Sequence, residues 1–197
     1  NQKLGTQMKA TGEVMSIGRT FEESLLKAVR SLEIGVFHLF MQKFESMSED
    51  ELMQYIKIGT DDRIYAIARL LRLGVSVDKI CEQTKIDRFF IDKMVNIINE
   101  EKALIAAKGD AAELKKAKKA GFSDKEIARL WDMSELEVYN LRKQHSVFPV
   151  YKMIDTCASE FESYVPYFYS TYEDENESVV SNRRKVIVLG SGPIRIG

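Results

Sequence analysis

The sequence is short of nearly everything that marks a specialised chain. Cysteine occurs only at Cys81 and Cys157, far apart, so no disulfide framework is expected and a reducing cytoplasm fits. Histidine occurs only at His38 and His145, neither sharing a metal-ligand spacing with a cysteine, so no metal site is expected. No run of 18 apolar residues exists, which excludes a helical membrane span. Lys plus Arg number 29 against 30 Asp plus Glu, a formal net charge of -1, so nothing global argues for nucleic acid or an anionic membrane surface. Paired carboxylates, metal motifs and a nucleophile elbow are missing, and the residues nominate no catalytic group. The first residues, Asn1-Gln2-Lys3-Leu4, have neither an initiator Met nor the layout of a secretory signal, and read as an internal cut.

What is present is a globular composition, 45% hydrophobic and 30% charged, in 197 residues, enough for one or two domains with a core. Residues 13–17 read as a short strand ended by Gly18. Thr20 with Glu23 forms a capping box opening a helix striped by Phe21, Leu25, Ala28, Val29 and Leu32. From Val36 to about Gln144 the pattern is helical almost throughout. Phe37, Phe40, Met41 and Phe44 form one stripe, and Ser48 with Glu51 opens the next helix. Thr60 or Asp61 caps another, which Gly74 closes; the longest helix spans about 88–107 and carries a core-wide apolar face. The expected fold is mainly α, an irregular multihelical array of two small helical subdomains, with short α/β remnants at both ends and an extended C-terminal connector.

The two subdomains are suggested by a faint internal repeat. Gly74-Val75-Ser76 is echoed by Gly121-Phe122-Ser123, Ile80 by Ile127, Asp87 by Ser134, and Ile91 and Met94 by Val138 and Leu141, at an offset of 47 residues. Ser123/Glu126 and Ser134/Glu137 read as further capping boxes. Two copies are too few for a solenoid.

After His145 the helical stripe disappears. Residues 149–182 are crowded with aromatics (Tyr151, Phe161, Tyr164, Tyr167, Phe168, Tyr169, Tyr172) and include the acidic Glu173-Asp174-Glu175-Asn176-Glu177. They read as an extended connector packing its rings on neighbouring domains; base stacking is disfavoured by the acid. Cys157 has no nearby histidine and reads as a small buried core residue. Ser181-Asn182-Arg183-Arg184 is a hinge into residues 185–197, a buried strand running into Gly190-Ser191-Gly192. Arg195 stands where a dinucleotide fingerprint needs glycine, and no Gly-Lys-Ser/Thr follows, so neither nucleotide motif is complete.

Residues 121–142 have a helix-turn-helix outline, and an independent helical binding module for nucleic acid or a protein partner is the alternative reading. The second helix begins Glu135-Leu136-Glu137, which repels phosphate where a reading helix offers Arg, Lys, Asn or Gln. Lys115, Lys116, Lys118 and Lys119 read as a solvated helix face.

Several stretches resemble the large chain of carbamoyl-phosphate synthase: residues 8–24 (MKATGEVMSIGRTFEES), 61–64 (DDRI), 86–90 (IDRFF), 121–125 (GFSDK), 150–160 (VYKMIDTCASE), 169–172 (YSTY) and 186–197 (VIVLGSGPIRIG). The first and last are the most specific, and together they follow the family's order along the chain. The resemblance implies that residues 1–33 are the tail of a first ATP-grasp synthetase half. It places the core of a helical connection, or oligomerisation, domain at 34–148, its aromatic connector at 149–184, and the first strand and loop of a second half at 185–197. It implies a parent ligase that makes carbamoyl phosphate from bicarbonate, glutamine-derived ammonia and two ATP, with Mg or Mn, for arginine and pyrimidine biosynthesis. A glutamine amidotransferase small subunit, the two synthetase halves and self-association are the implied partners. No catalytic, cofactor-binding or metal residue carries over; Gly190, Gly192 and Gly197 are loop candidates only in the intact enzyme.

Overall fold

The computed structural model describes residue 6, residues 14–162 and residues 167–188. Its described residues form eight α-helices and one two-stranded sheet, the mainly α architecture expected. Helix α1 (Phe21–Ser31) starts where Glu23 N–H donates to Thr20 Oγ1 at 3.2 Å. The Glu23 carboxylate accepts from Arg19 N–H at 2.6 Å rather than from Thr20, so the reciprocal half of the box is displaced by one residue. Complete capping boxes occur at Ser48/Glu51, opening α2 (Glu49–Tyr55), and at Ser134/Glu137, opening α8 (Glu135–Gln144). Before α3 (Arg63–Leu73) the expected cap, Thr60 or Asp61, is replaced by Asp62. Asp62 makes no capping bond, because its carboxylate is occupied by Lys43, by Tyr55 Oη at 2.7 Å and by Thr60 Oγ1 at 2.8 Å.

The repeat is real at the level of hydrogen bonds. Helix α4 (Val77–Thr84) in the first copy and α7 (Asp124–Trp131) in the second have the same length and both follow a serine cap. Gly74 and Gly121 take φ of +90° and +94°, which glycine alone adopts without strain. Val75 N–H donates to Leu70 O and Phe122 N–H to Ala117 O, the same closure in each copy. The helices end on left-handed residues, Lys85 and Asp132, at equivalent positions. Helices α5 (Arg88–Ala106) and α8 then begin in register, and α3 is matched by α6 (Ala111–Lys119).

The two copies do not form separate cores. Helix α5 packs against α1, α3, α4, α6 and α7, and its Ile91, Met94, Ile97, Ile98 and Leu104 are buried in one continuous apolar cluster. Leu26 and Val29 of α1 belong to the same cluster, as do Ile80 and Ile127, the matched residues of the copies. Full burial of each such side chain contributes about 1.5–3 kcal/mol.

Three expectations are corrected. Residues 34–41 are not helical; after Glu33 and Gly35, both at positive φ, the chain runs irregularly into a single 3-10 turn, Gln42–Phe44. There the buried residues are His38, Leu39 and Phe44, while Phe37 stays 39% exposed, because the segment is drawn onto α5 through His38 and not laid down as a stripe. Residues 14–18 carry no strand, having no strand beside them among the described residues. Val186, Ile187 and Val188 are likewise unpaired and more than 80% exposed; Glu13, Leu189 and the glycine loop candidates Gly190, Gly192 and Gly197 lie outside the described residues.

The aromatic connector also has more structure than an extended segment. Strands β1 (Val150–Met153) and β2 (Phe168–Thr171) pair antiparallel, with Val150 opposite Thr171 and Met153 opposite Phe168. The far edge of β1 is covered by the acidic stretch: Asn176 Oδ1 accepts from Tyr151 N–H at 2.8 Å and Glu177 Oε2 from Met153 N–H at 2.7 Å. Covering an edge in this way leaves no free ladder for another strand.

Candidate functional site

The N-terminal segment and the C-terminal connector meet on one face of the helical core. Lys27 of α1 holds both: Nζ donates to Ile17 O at 2.8 Å and to Ser170 O of β2 at 2.5 Å, and pairs with Glu23 at 2.8 Å. The same ammonium lies 5.6 Å from the Tyr169 ring centre. The neighbouring Tyr169 side chain raises the pKa of the Arg19 guanidinium above its ordinary value. Residues 17–27 and 169–170, far apart in sequence, are thus joined directly.

Helices α6 and α7 supply the floor of this junction. Lys118 is only 6% exposed and donates to Phe122 O at 2.7 Å and to Asp124 Oδ1 at 2.8 Å. Arg142 of α8 donates to Asp124 Oδ2 through Nε at 2.9 Å and NH2 at 2.6 Å, and to Val147 O at 3.1 Å. Tyr172, just after β2, lies against both cations, 5.0 Å from Lys118 Nζ and 5.8 Å from the Arg142 guanidinium carbon. Burial pushes the Lys118 ammonium down to about 8, against the opposing pull of Asp124. Asp124 is held below the usual carboxylate range: its burial is outweighed by Arg142 and Lys118.

The lysine run is therefore not simply a solvated face. Lys115 pairs with Asp174 at 3.1 Å, Lys119 reaches Glu173 and Asp174 at 3.9 Å, Lys116 pairs with Glu100 at 2.7 Å, and Lys118 is buried. The basic run of α6 and the acid after Tyr172 lie against each other, which neither stretch reveals alone. Exposed pairs of this kind contribute only about 0–1 kcal/mol each, so they orient the connector more than they hold it.

A second polar cluster lies inside the core. His38 Nε2 is 2.7 Å from Glu101 Oε1, and Arg72 grips the same carboxylate with bonds of 2.8 and 2.6 Å. Burial pushes Glu101 up, but the bonds from Arg72 and His38 prevail and bring it down to about 2. Glu126 stands alongside in a fork-to-fork pair with Arg129 at 3.0 and 2.6 Å, and His38, Glu101 and Glu126 each bring a potential ligand atom within 4.8 Å of the others. One nitrogen and two carboxylates suit a divalent cation by type. Both carboxylates, however, are already neutralised by bidentate arginines that a metal would have to displace, and the arrangement is that of a buried ion-pair network. Glu126 is thereby drawn away from the Ser123 amide, so the Ser123 cap remains while the expected capping box does not.

Of the other residues considered, His145 is an exposed helix terminus. Cys157 is not in the core: it sits half-buried in a turn where Asp155 accepts from the N–H groups of Cys157 and Ser159. The helix-turn-helix outline is present as α7, a turn at Asp132 and α8, whose first turn contains Glu135 and Glu137, with Leu136 66% exposed.

One family model matches the chain over residues 13–146, from just before α1 to just past the end of α8. Its description is the oligomerisation domain of the carbamoyl-phosphate synthetase large chain. The match takes in the helical core, the repeated units and the α1 side of the junction, and it agrees with the resemblance carried by residues 8–24, 61–64, 86–90 and 121–125. This chain belongs to the family of carbamoyl-phosphate synthetase large-chain oligomerisation domains.

Proposed function

We propose that the chain is a non-catalytic connector that holds two synthetase halves of one large chain in register and supplies surface for self-association. In this reading residues 1–33 leave a first ATP-grasp half, 34–148 form the connection core, 149–184 are its connector, and 185–197 enter a second half. The parent enzyme is then a cytoplasmic, glutamine-hydrolysing carbamoyl-phosphate synthase, an ATP-dependent ligase using bicarbonate, ammonia, two ATP and Mg or Mn in arginine and pyrimidine biosynthesis. Its small subunit releases the ammonia, and the chain itself carries no cofactor, metal or catalytic group.

The observation that supports this reading is the junction at Lys27, which bonds both Ile17 and Ser170, residues that the reading assigns to the exit from one half and the approach to the next. A connector that joined two bodies only through a flexible tether would have no reason to bond its entry to its exit. The core between them is a single packed unit, so displacement at one end is transmitted to the other. Pairing of the α6 lysines with acid inside the chain disfavours the alternative of an independent nucleic-acid module, since phosphate binding needs those cations free.

The test uses the chain as it stands, with ATP turnover in the presence of bicarbonate and light scattering across concentration measured on the same sample. No turnover and a concentration-dependent rise in mass are expected. Turnover that co-purifies with the chain overturns the non-catalytic reading, and a strict monomer at high concentration overturns self-association.

A further inference from the structure

At the junction a cavity of about 260 Å³ opens between α1, the α6–α7 turn and the end of β2. That is room for on the order of nine water molecules. Lys27, Arg30, Lys118 and Tyr172 line it together with Glu23, Asp124 and, at its exposed rim, Glu135. Three carboxylates face three cations around it, but two of the carboxylates are already engaged. Glu23 is taken by Lys27 and Arg19 N–H, and Asp124 by Lys118 and Arg142. Arg30 is the least engaged: among the described residues its guanidinium makes one hydrogen bond, from NH1 to Gly121 O at 2.8 Å, and is attracted by Glu23 without a carboxylate oxygen within ion-pair distance. Its guanidinium is half-buried, which lowers its pKa. The Tyr172 hydroxyl likewise has no hydrogen bond among the described residues and is packed against cations.

A half-buried guanidinium with one side-chain bond has further donors to offer a guest in the cavity. Its planar fork matches an oxyanion, and a phenolic O–H and a buried ammonium on the same cavity add donors to the same guest. We propose that this cavity is a binding site for a small multivalent oxyanion of the phosphate class, held by Arg30 with Tyr172 and Lys118. The guest bridges α1 to the residue that follows β2, so its binding tightens the junction between the N-terminal segment and the connector. The proposal rests on the cavity and its charges and stands whether or not the connector reading does.

The experiment titrates inorganic phosphate into the chain by isothermal calorimetry, with sodium chloride at matched ionic strength as the control. Amide exchange of residues 168–172 is followed in parallel. Saturable binding of phosphate, not reproduced by chloride, with slower exchange at 168–172, is expected. Arg30→Gln is expected to weaken binding at least tenfold, and Tyr172→Phe about threefold. A response equal in chloride, or binding unchanged in both variants, overturns the proposal. Should Arg30→Gln fail to fold, Tyr172→Phe and the chloride comparison decide the matter, and unchanged binding in Tyr172→Phe then counts against it.

Discussion

The two glycines that close equivalent helices offer an internal control on how α1 is seated. Gly74 and Gly121 share a left-handed backbone, φ +90° and +94°, so replacing either by alanine incurs about 1–2 kcal/mol of conformational strain. Their surroundings differ. A Cβ at Gly74 meets nothing within 4 Å, whereas one at Gly121 lies 2.7 Å from Glu23 Cα and 3.2 Å from Glu23 O. Those atoms are the backbone of the first turn of α1, the helix whose Lys27 and Arg30 reach the connector and the Gly121 carbonyl, and they cannot rotate away. Forcing extra atoms into such a contact costs about 1–3 kcal/mol. Gly74→Ala is thus expected to cost about 1–2 kcal/mol and Gly121→Ala about 2–5 kcal/mol. At roughly 2–4 °C per kcal/mol for a domain of this size, Gly121→Ala melts about 2–12 °C below Gly74→Ala. The assay is urea or thermal unfolding followed by Trp131, which is buried and donates from Nε1 to Leu104 O at 2.6 Å. Limited proteolysis ahead of α1 reports whether that helix has lifted. Equal losses in the two variants, with α1 still protected, refute the close seating of α1 on the α6–α7 turn.

Three further predictions follow from the buried charges. Glu101 is depressed to about 2 in the fold and has an ordinary value of 4.5 when unfolded, so its contribution is complete above pH 4.5 and is lost as pH falls towards 2. That swing is about 3 kcal/mol; Glu101→Gln should be less stable than wild type at pH 6, with the gap closing by pH 2, and a constant gap counts against the assignment. Lys118 has the same sign of linkage in a different window, but there it is the charged form that is penalised: it is depressed to about 8 against 10.5 unfolded, so burying its charge costs most below pH 8 and stability recovers as pH rises towards 10.5. Relative to Lys118→Met, wild type should gain up to about 3 kcal/mol across that window, and parallel pH profiles refute it. Asp124→Asn, which leaves Lys118 and Arg142 buried without their shared partner, should cost about 3–5 kcal/mol in urea unfolding at pH 7, and a loss under 1 kcal/mol contradicts the cluster.

Local grammar in the sequence carried the helices, and long-range pairing hid the rest. Serine caps at Ser48, Ser76, Ser123 and Ser134, closing glycines and the apolar face of α5 are signals within a turn or two of the elements they specify. His38 meets Glu101 from 63 residues away, so its neighbourhood resembled one more helical stripe with a lone histidine in it. Strands β1 and β2 have four residues each and a burial pattern of one inward side chain apiece, too short for alternation to stand out among scattered aromatics. Lys118 vanished into a run of lysines. The one signal that could have found it was the repeat, because it occupies the position that Leu71 holds in the first copy, and Leu71 is a core residue.

That substitution explains why the second copy, and not the first, carries the junction. At the repeat offset, Leu71, Val77 and Val95 correspond to Lys118, Asp124 and Arg142. In the first copy the three side chains are apolar and belong to, or pack against, the common core. In the second the same three positions hold a buried ion cluster beneath Tyr172. Exchanging apolar contacts for a desolvated ion triad gains little stability, and often loses some. What it adds is directionality: charge-assisted bonds fix the orientation of what lies on them, whereas an apolar surface accepts several packings. The first copy, freed of that demand, packs α3, α4 and α5 as core. The second uses the same backbone to present a charged floor, onto which α1 brings Arg30 and the connector brings Tyr172.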